Sequence, residues 1–344
     1  MIAIPHPAQS PVSARVSVIG AGAWGTALAN VLADNGHRVR LWCYAPSIAT
    51  SISEQRVHHR LPGVSLNPKI EPCLDMADCY DADWVVLGLS SRQLCDYADR
   101  IDWSAIACGV GILAKGIIEP DWFISTWVGR RFSGPISVVS GPNLALEIAQ
   151  RKPAASVVAA TDRAHAEYVQ NVLSNTYFRV YTSTDVRGVE CGGIFKNVFA
   201  IAAGCLDAMG YGENAKAALV TRGLTELNRL ADFFGAQPQT VGGLSGLGDL
   251  VATCFSSKSR NWQYGYQYMT AKRSNPAVRD ATFAGETEGV RTIQLLYDTI
   301  RHESLDVPII SAVGRLFFDA GASPTTIIHD LMERDLKSEF DSLL

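Results

Sequence analysis

The chain has 344 residues and a mass of 37.2 kDa, which exceeds the usual size of one domain and predicts two domains with separate cores. Its formal net charge is −4, and its Lys and Arg residues are scattered along the sequence rather than grouped into a basic stripe. This charge pattern argues against nucleic acid as a partner. A single arginine or one helix N-terminus would still suffice to bind the phosphate of a small substrate.

The cysteines and the first residues of the chain bear on its compartment. None of the eight cysteines forms a Cys-x-x-Cys pair, so they indicate core residues in a reducing compartment rather than a disulfide framework or a metal site. Residues 1–14 lack a basic group followed by an apolar block and predict an N-terminal extension that is not a secretory signal. No apolar run approaches the ~20 residues of a membrane span. We therefore expect a cytoplasmic protein.

Residues 15–182 alternate short β-branched runs with helical stretches. The runs are continuously apolar, which is the pattern of strands buried on both faces of a parallel sheet. The sequence therefore predicts an α/β domain with a doubly wound, mostly parallel sheet over residues 15–182. The candidate strands are Val16 to Ile19, Val39 to Trp42, Trp84 to Leu89, Val110 to Ala114, Ile136 to Ser140, Ser156 to Ala160 and Phe178 to Tyr181.

The strand pattern stops near Ser183, and long helical patterns follow it. This change predicts a second, all-α domain over residues 183–344. Its first helical patterns are Gly188 to Met209, Ala215 to Phe234 and Val290 to Ile300; Val241 to Asp249 is predicted as a glycine-rich connector and Thr270 to Ala284 as a surface loop.

A Gly-x-Gly-x-x-Gly element follows the first candidate strand directly. Gly20 permits the tight turn, Gly22 allows a pyrophosphate to approach the backbone, and Gly25 allows the next helix to pack closely on the strand. Ala23 and Trp24 complete the element at the helix N-terminus, which attracts anions. The pattern is typical of a Rossmann-type dinucleotide-binding domain.

The residues at the end of the second candidate strand do not decide between NAD and NADP. An acidic residue there would bind the adenosine ribose and favour NAD, whereas an arginine would favour NADP. The sequence has Cys43-Tyr44-Ala45-Pro46 at this point, with neither group. We therefore expect NAD or NADP as the cofactor, and a flavin fits less well because no other part of the sequence suggests a flavin site.

Further motifs follow in order along the chain, and they resemble those of the bacterial-type NAD(P)-dependent glycerol-3-phosphate dehydrogenases from about residue 15 to about residue 300. They are GAGAWGTALA at 20–29, SGP at 140–142, GVECGGIFKN at 188–197, ALVTRG at 218–223, GLGDL at 246–250, SRN at 259–261 and EGV at 288–290. The resemblance implies a Rossmann domain joined to an all-α domain, with the active site between them. It also implies interconversion of sn-glycerol 3-phosphate and dihydroxyacetone phosphate, a precursor step for glycerophospholipids.

The resemblance assigns proton transfer to Lys196, as acid in reduction and as base in oxidation. It assigns Asp249 to orient Lys196 or the substrate hydroxyl. Lys115, after the fourth candidate strand, is a second cationic candidate near the carbonyl or phosphate. Each residue also has a competing interpretation. Lys196 could extend from a helix to solvent, and Asp249 could be an ordinary helix N-cap. Lys115 could be a surface lysine at the end of a strand.

Two sets of binding residues are implied. Arg260 and Asn261 offer the planar donors that grip a phosphate dianion, although an arginine in a loop can simply be solvated. Glu288 would touch the adenosine ribose, or else it is an acid at a helix N-terminus. The implied substrate set is Lys115, Gly141, Asn143, Lys196, Asn197, Asp249, Thr253, Ser259, Arg260 and Asn261. The implied cofactor set is Gly20, Gly22, Ala23, Trp24, Gly25, Lys115, Ala145, Arg260 and Glu288.

Several positions depart from the family pattern. Ala114 replaces a serine, Asn143-Leu144 replaces Ser-Phe, Trp262-Gln263 replaces a pair rich in arginine, and the basic residue after the second strand is missing. These departures leave open a paralogue that acts on another phosphate ester. The sequence also leaves open a related hydroxyacid dehydrogenase and a non-catalytic nicotinamide sensor. We expect a homodimer that binds no nucleic acid and has no membrane-spanning segment.

Overall fold

The computed structural model describes residues 13–275, 287–319, 321–336 and 338–339. Its first half is built around one eight-stranded sheet with the order β3-β2-β1-β4-β5-β6-β7-β8. The strands are β1 (Arg15–Ile19), β2 (Arg38–Trp42), β3 (Ile70–Cys73), β4 (Trp84–Leu87), β5 (Gly109–Ile112), β6 (Ile136–Ser140), β7 (Ala154–Ala160) and β8 (Phe178–Ser183). Neighbouring strands are parallel except β6 and β7, which are antiparallel. The predicted mostly parallel, doubly wound sheet is confirmed.

The helices continue from the sheet domain into the second half of the chain. Those in the described residues are α1 (Ala23–Asp34), α2 (Pro46–Thr50), α3 (Ser91–Tyr97), α4 (Ile124–Gly129), α5 (Ala145–Ala149), α6 (Arg163–Leu173), α7 (Val186–Met209), α8 (Glu213–Phe233), α9 (Pro238–Val241), α10 (Asp249–Cys254), α11 (Arg260–Ser274), α12 (Glu288–Glu303), α13 (Pro308–Phe318) and α14 (Pro324–Met332). Short 3-10 helices lie at Ala77–Cys79, Ala98–Arg100 and Trp103–Ala105, and π-helical turns lie at Ser51–Gln55 and Leu244–Gly248.

The centre of the sheet is buried on both faces because its strands carry almost only apolar side chains. All four residues of β4 and all four of β5 are buried, and separate apolar clusters cover the two faces of the sheet. Gly111 in β5 makes room for the Trp84 indole, since a Cβ there would lie 2.4 Å from Trp84 Cζ2. Such dry packing holds the strand ends, and the loops that follow them, in fixed positions.

Helix α7 is the central element of the second domain. Within the described residues it is the one helix long and apolar enough to cross a membrane, but 94% of its apolar window is buried in the protein, so it is a core helix here. It crosses α11 at two glycines. A Cβ on Gly204 would lie 2.0 Å from the Trp262 carbonyl oxygen, and one on Gly265 would lie 2.0 Å from that of Ile201. The two backbones are therefore in direct contact.

The structure corrects several predictions. Strand β3 is absent from the predicted strands because Ile70–Cys73 holds a glutamate and a proline, which an edge strand tolerates without an apolar run. The predicted connector Val241 to Asp249 is wrong for its second half, because Leu244–Gly248 forms a π-helical turn that leads directly into α10. The predicted loop from Thr270 is also wrong at its start, since α11 continues to Ser274. Residues 276–286, and 1–12 of the predicted extension, lie outside the described residues.

Candidate active site

The glycine loop between β1 and α1 is shaped by close contacts with the neighbouring strand end. Gly20 has a φ of +125°, and a Cβ there would lie 2.8 Å from the Gly88 carbonyl carbon. A Cβ on Gly25 would lie 2.2 Å from the Gly20 oxygen. The backbone amides of Gly20 and Ala21 donate to the Trp42 oxygen at 3.3 and 3.0 Å, which fixes the loop to the end of β2. Only glycine fits these turns.

The residues of the loop fit the pyrophosphate of a dinucleotide. Gly22 is the N-cap of α1 and provides no side-chain cap, so the first amides of this helix keep their capacity to bind an anion. No acidic residue lies in the first turn. The indole Nε1 of Trp24 is buried without a hydrogen-bond partner among the described residues, which leaves one more donor beside the helix N-terminus. The loop is therefore electropositive and unblocked.

Two lysines and one aspartate form a buried ionic cluster below the ends of the central strands. Lys196 Nζ lies 3.1 Å from Asp249 Oδ1, and Lys115 Nζ lies 2.7 Å from Asp249 Oδ2. Lys196 also donates to Thr253 Oγ1 at 2.6 Å, and Lys115 donates to the Gly141 oxygen at 2.9 Å. The three residues that the sequence assigned to catalysis are thus brought together, although 134 positions separate Lys115 from Asp249.

Glycines on α7 allow this cluster to form. A Cβ on Gly192 would lie 2.8 Å from Gly246 in the π-helical turn, so the turn that precedes Asp249 rests directly on the α7 backbone. On the adjacent position of α7, a Cβ at Gly193 would lie 2.9 Å from the Ser140 hydroxyl at the end of β6. Lys196 follows one turn later on the same helix. Because these two α7 positions have no side chain, the end of β6 and the turn before Asp249 pack closely enough on α7 to bring Asp249 within reach of the Lys196 ammonium group.

The charges of the cluster influence one another strongly because water is largely excluded. Burial lowers the pKa of Lys196 and the Lys115 charge lowers it further, while the Asp249 carboxylate acts in the opposite direction; the net result lies below the usual lysine value. Burial alone would raise the pKa of Asp249, but both lysines outweigh it and keep the carboxyl ionised. The site therefore combines a lysine whose pKa is lowered with a carboxyl group whose pKa is also lowered.

A chain of amides links this cluster to the start of α11. Asn197 Nδ2 donates to the Lys115 oxygen at 3.4 Å, and Asn261 Nδ2 donates to Asn197 Oδ1 at 2.8 Å. The Asn261 Oδ1 atom is buried without a partner among the described residues. Ser259 caps α11 by accepting from the Trp262 amide, and Arg260 is the first residue of the helix, with an exposed side chain. Arg260 thus lies at the N-terminus of α11, next to Asn261, which the chain of amides links to Lys115.

The segment after β6 forms the backbone wall of the site. Gly141 has a φ of +148°, which turns its oxygen toward Lys115. Asn143 donates to the Ala155 oxygen at 3.3 Å and accepts from the Ser156 hydroxyl at 2.9 Å, so its amide is engaged in holding the turn. Ala145 begins α5 and is half-buried against the apolar cluster on that face of the sheet. The Asn143 side chain thus stabilises the turn through hydrogen bonds. Its contact with the substrate stays a prediction.

Glu288 lies at the first position of α12. Its Oε1 accepts from the backbone amide of Ser91 at 3.3 Å and from the Ser91 hydroxyl at 3.4 Å. Ser91 begins α3, after β4, so the carboxylate spans from the helical domain to the N-terminus of a sheet-domain helix. This position is compatible with a ribose contact and with a helix N-terminal acid, and the contact of Glu288 with the adenosine ribose stays a prediction.

Glu190 is a buried acid near the site that the sequence patterns do not single out. It lies on α7, fully buried, and its carboxylate accepts from the Ser125 amide at 3.0 Å and from the Ser125 hydroxyl. Burial raises its pKa to about 7 against these hydrogen bonds. The carboxylate fastens α7 to the start of α4 and so fixes the helix that carries Lys196. The sequence feature that could have revealed Glu190 is its position as a single acid within an apolar helical segment, which indicates a buried carboxylate.

A dinucleotide loop together with a buried lysine that can transfer a proton is typical of nicotinamide-dependent dehydrogenases that act on a carbonyl group, and this is the class that fold and site define. Two family models match the chain: the NAD-dependent glycerol-3-phosphate dehydrogenase N-terminus over residues 15–166 and C-terminus over residues 185–329. The chain belongs to the NAD-dependent glycerol-3-phosphate dehydrogenase family.

Full-length relatives agree with these models. The glycerol-3-phosphate dehydrogenase [NAD(P)+] of Geobacillus thermodenitrificans is 39% identical over 96% of this chain and 98% of its own. That of Corynebacterium kroppenstedtii is 42% identical over 94% of this chain and 99% of its own. A crystal structure of glycerol-3-phosphate dehydrogenase from Coxiella burnetii is 30% identical, covers 94% of this chain and 99% of its own, and superimposes with a TM-score of 0.81.

The roles of the two lysines can be separated by matched substitutions. Lys196→Met keeps the apolar stem but removes the ammonium group, so kcat for ketone reduction should fall by at least ~10³-fold, the combined effect of lost proton transfer and lost oxyanion stabilisation. NADH affinity should change little. Steady-state kinetics and a direct NADH titration measure both quantities.

Lys115→Met is the control for this experiment. Lys115 also pairs with Asp249 but is more exposed than Lys196, with 18% against 8% of its side chain accessible. We expect a smaller loss in kcat for this variant. If Lys196→Met kept more than about a tenth of the wild-type kcat while Lys115→Met was inactive, the roles of the two lysines would have to be exchanged.

Proposed function

We propose that the chain interconverts sn-glycerol 3-phosphate and dihydroxyacetone phosphate with NAD or NADP, and that Lys196 is its proton-transfer group. The observation that carries this proposal is the Lys196–Asp249–Lys115 cluster, with distances of 3.1 and 2.7 Å, within a member of this family. Reduction yields a glycerol phosphate, which is the kind of precursor that glycerophospholipid synthesis needs.

The cluster supplies the proton chemistry that the reaction needs. When a nicotinamide cofactor is bound, it supplies the hydride in reduction. The Lys196 ammonium donates its proton to the substrate carbonyl oxygen, where negative charge develops, and the resulting amine takes the proton back in oxidation. Asp249 and Thr253 hold the Lys196 nitrogen in place at 3.1 and 2.6 Å. Lys115 adds a second positive charge beside the developing alkoxide.

The substrate phosphate is best accommodated at the start of α11. Arg260 presents an exposed guanidinium there, and the first amides of α11 add the positive end of a 15-residue helix. Asn261 and Asn197 connect this point to Lys115 through hydrogen bonds of 2.8 and 3.4 Å. A phosphate bound at Arg260 would therefore lie on the same network that carries the proton-transfer cluster.

Two of the departures from the family pattern, Trp262 and Gln263, have packing contacts of their own. Trp262 Nε1 donates to Asp207 at 2.8 Å and the ring stacks on Tyr266, so its side chain packs along α11 rather than serving as a phosphate ligand. Gln263 donates to the Ser257 oxygen at 2.9 Å. Because both side chains are engaged within the protein, these two replacements do not by themselves point to a different phosphate ester. A hydroxyacid substrate would leave Arg260 without a phosphate to bind, and a nicotinamide sensor would have no use for Lys196.

We also infer a cytoplasmic homodimer. The homodimer draws support from the helical domain, where an apolar cavity of about 610 Å³ opens between α7, α8, α13 and α14. Met332 and Leu336 beside it are 79% and 101% exposed. A second copy seated on this face would remove both side chains from water.

The activity assay tests the proposal directly. Dihydroxyacetone phosphate should drive oxidation of NADH and of NADPH, because the end of β2 has neither an acid to repel a 2′-phosphate nor an arginine to hold one. We expect discrimination of less than ~100-fold in kcat/KM, since one charged contact is worth up to about 3 kcal/mol. Small 2-hydroxy and 3-hydroxy acids should show no comparable turnover. Activity confined to the hydroxy acids would refute the proposal.

Arg260→Ala tests the phosphate position. The variant should raise KM for dihydroxyacetone phosphate and lower kcat/KM by an amount equivalent to about 2 to 4 kcal/mol, the range for losing a charge pair that the bound phosphate would shield from water. Arg273→Ala, near the other end of α11, is the matched control and should leave these constants unchanged. Unaltered kinetics in Arg260→Ala would show that the phosphate is bound elsewhere.

A further inference from the structure

Two cysteines meet at the edge of the sheet. Cys73 is the last residue of β3 and Cys79 ends the short helix Ala77–Cys79, and their Sγ atoms are 3.6 Å apart. Both thiols are free. The contact is within reach of a disulfide, which needs a sulfur separation of about 2.05 Å and hence a shift of roughly 1.5 Å by the two side chains. Only five residues separate the pair, so the loop between them would close into a small ring.

The two thiols differ in a way that suits stepwise oxidation. Cys73 is partly exposed, and the hydrogen bond that it shares with Cys79 lowers its thiol pKa against the opposing effect of burial. Cys79 is fully buried, and its bond to Cys73 together with burial raises its pKa. Arg40 adds a nearby positive charge that favours the thiolate of both. Cys73 is therefore the accessible nucleophile and Cys79 the neighbouring thiol that resolves its oxidised form.

The loop that carries the pair is hydrogen-bonded to the glycine loop through the end of β2. The Cys43 amide donates to the Cys73 oxygen at 2.8 Å, and Trp42 Nε1 donates to the Leu74 oxygen at 2.9 Å. The Trp42 oxygen in turn accepts from the amides of Gly20 and Ala21. A shift at Cys73 is therefore transmitted through one residue to the loop that we assign to the pyrophosphate. The end of β2 is also where the adenosine ribose of a dinucleotide lies in this fold.

We propose that Cys73 and Cys79 form a reversible disulfide in response to a peroxide, and that the disulfide weakens binding of the nicotinamide dinucleotide. The Cys73 thiolate attacks one oxygen of hydrogen peroxide, and the O–O bond breaks to give a sulfenic acid and hydroxide, which takes up a proton. The Cys79 sulfur then displaces the sulfenic oxygen as water. Both sulfurs are oxidised, one peroxide is reduced and two waters leave. The link to cofactor affinity rests on the proposed function.

The chemistry is tested by mass spectrometry on the full-length chain. After treatment with hydrogen peroxide and alkylation of the remaining thiols, the tryptic peptide from Ile70 to Arg92 should lose two hydrogens and escape alkylation at both cysteines. Dithiothreitol should reverse the change. Cys73→Ser and Cys79→Ser should remove it, whereas Cys95→Ser, which replaces an exposed thiol on α3, should behave as wild type. A peptide that stays fully alkylated would overturn the proposal.

The consequence is tested by titrating NADH against the oxidised and the reduced chain by fluorescence. We expect at least a roughly fivefold rise in the dissociation constant on oxidation, restored by dithiothreitol and absent from Cys73→Ser and Cys79→Ser. A disulfide that forms without any change in NADH affinity would overturn the coupling. Because neither readout uses the substrate, a failure of the glycerol phosphate assignment would appear separately, as absent turnover with intact NADH binding.

Discussion

The ion pairs of the Asp249 carboxylate with the buried Lys196 and the partly buried Lys115 are the interaction on which the site depends. Lys115 comes from the sheet domain, while Lys196 and Asp249 come from the helical domain, so the cluster joins the two domains at the point where chemistry is proposed. Burying one carboxylate with two ammonium groups leaves an excess positive charge in a region of low dielectric. Removing a partner from such a buried pair typically costs about 3 to 5 kcal/mol. The excess charge suits an oxygen that becomes negative during reduction.

This cluster in turn depends on the packing of α7. Gly192 and Gly193 bring the π-helical turn and the end of β6 onto the α7 backbone, and Gly204 brings α11 with Arg260 and Asn261 against the same helix. Glu190 fastens α7 to the sheet domain. One helix thus positions the proton donor, the aspartate and the proposed phosphate site together. The glycines on α7 allow neighbouring elements to pack closely against this helix, and they do not act here as flexible points of the chain.

Sequence patterns predict those features of the structure that depend on residues close together in the chain. The Gly20 loop and the apolar strands follow from turn geometry and from burial on both faces, and both are found as expected. Strand β3 and the π-helical turn escape such patterns, because an edge strand needs no apolar run and glycines mark a connector and a tight turn alike. The pairing of Asp249 with both lysines joins positions far apart in the chain, and no local pattern carries that information.

The most direct test of the account is the pH dependence of ketone reduction in Asp249→Asn. The carboxylate raises the pKa of Lys196 against burial and Lys115, so its removal should lower that pKa further. Since reduction needs the ammonium form, kcat/KM should begin to fall with rising pH at a point about one unit or more lower than in the wild type. NADH binding serves as the check that the variant is folded. A folded variant whose kcat/KM profile keeps the wild-type alkaline limb would contradict the central role of this carboxylate.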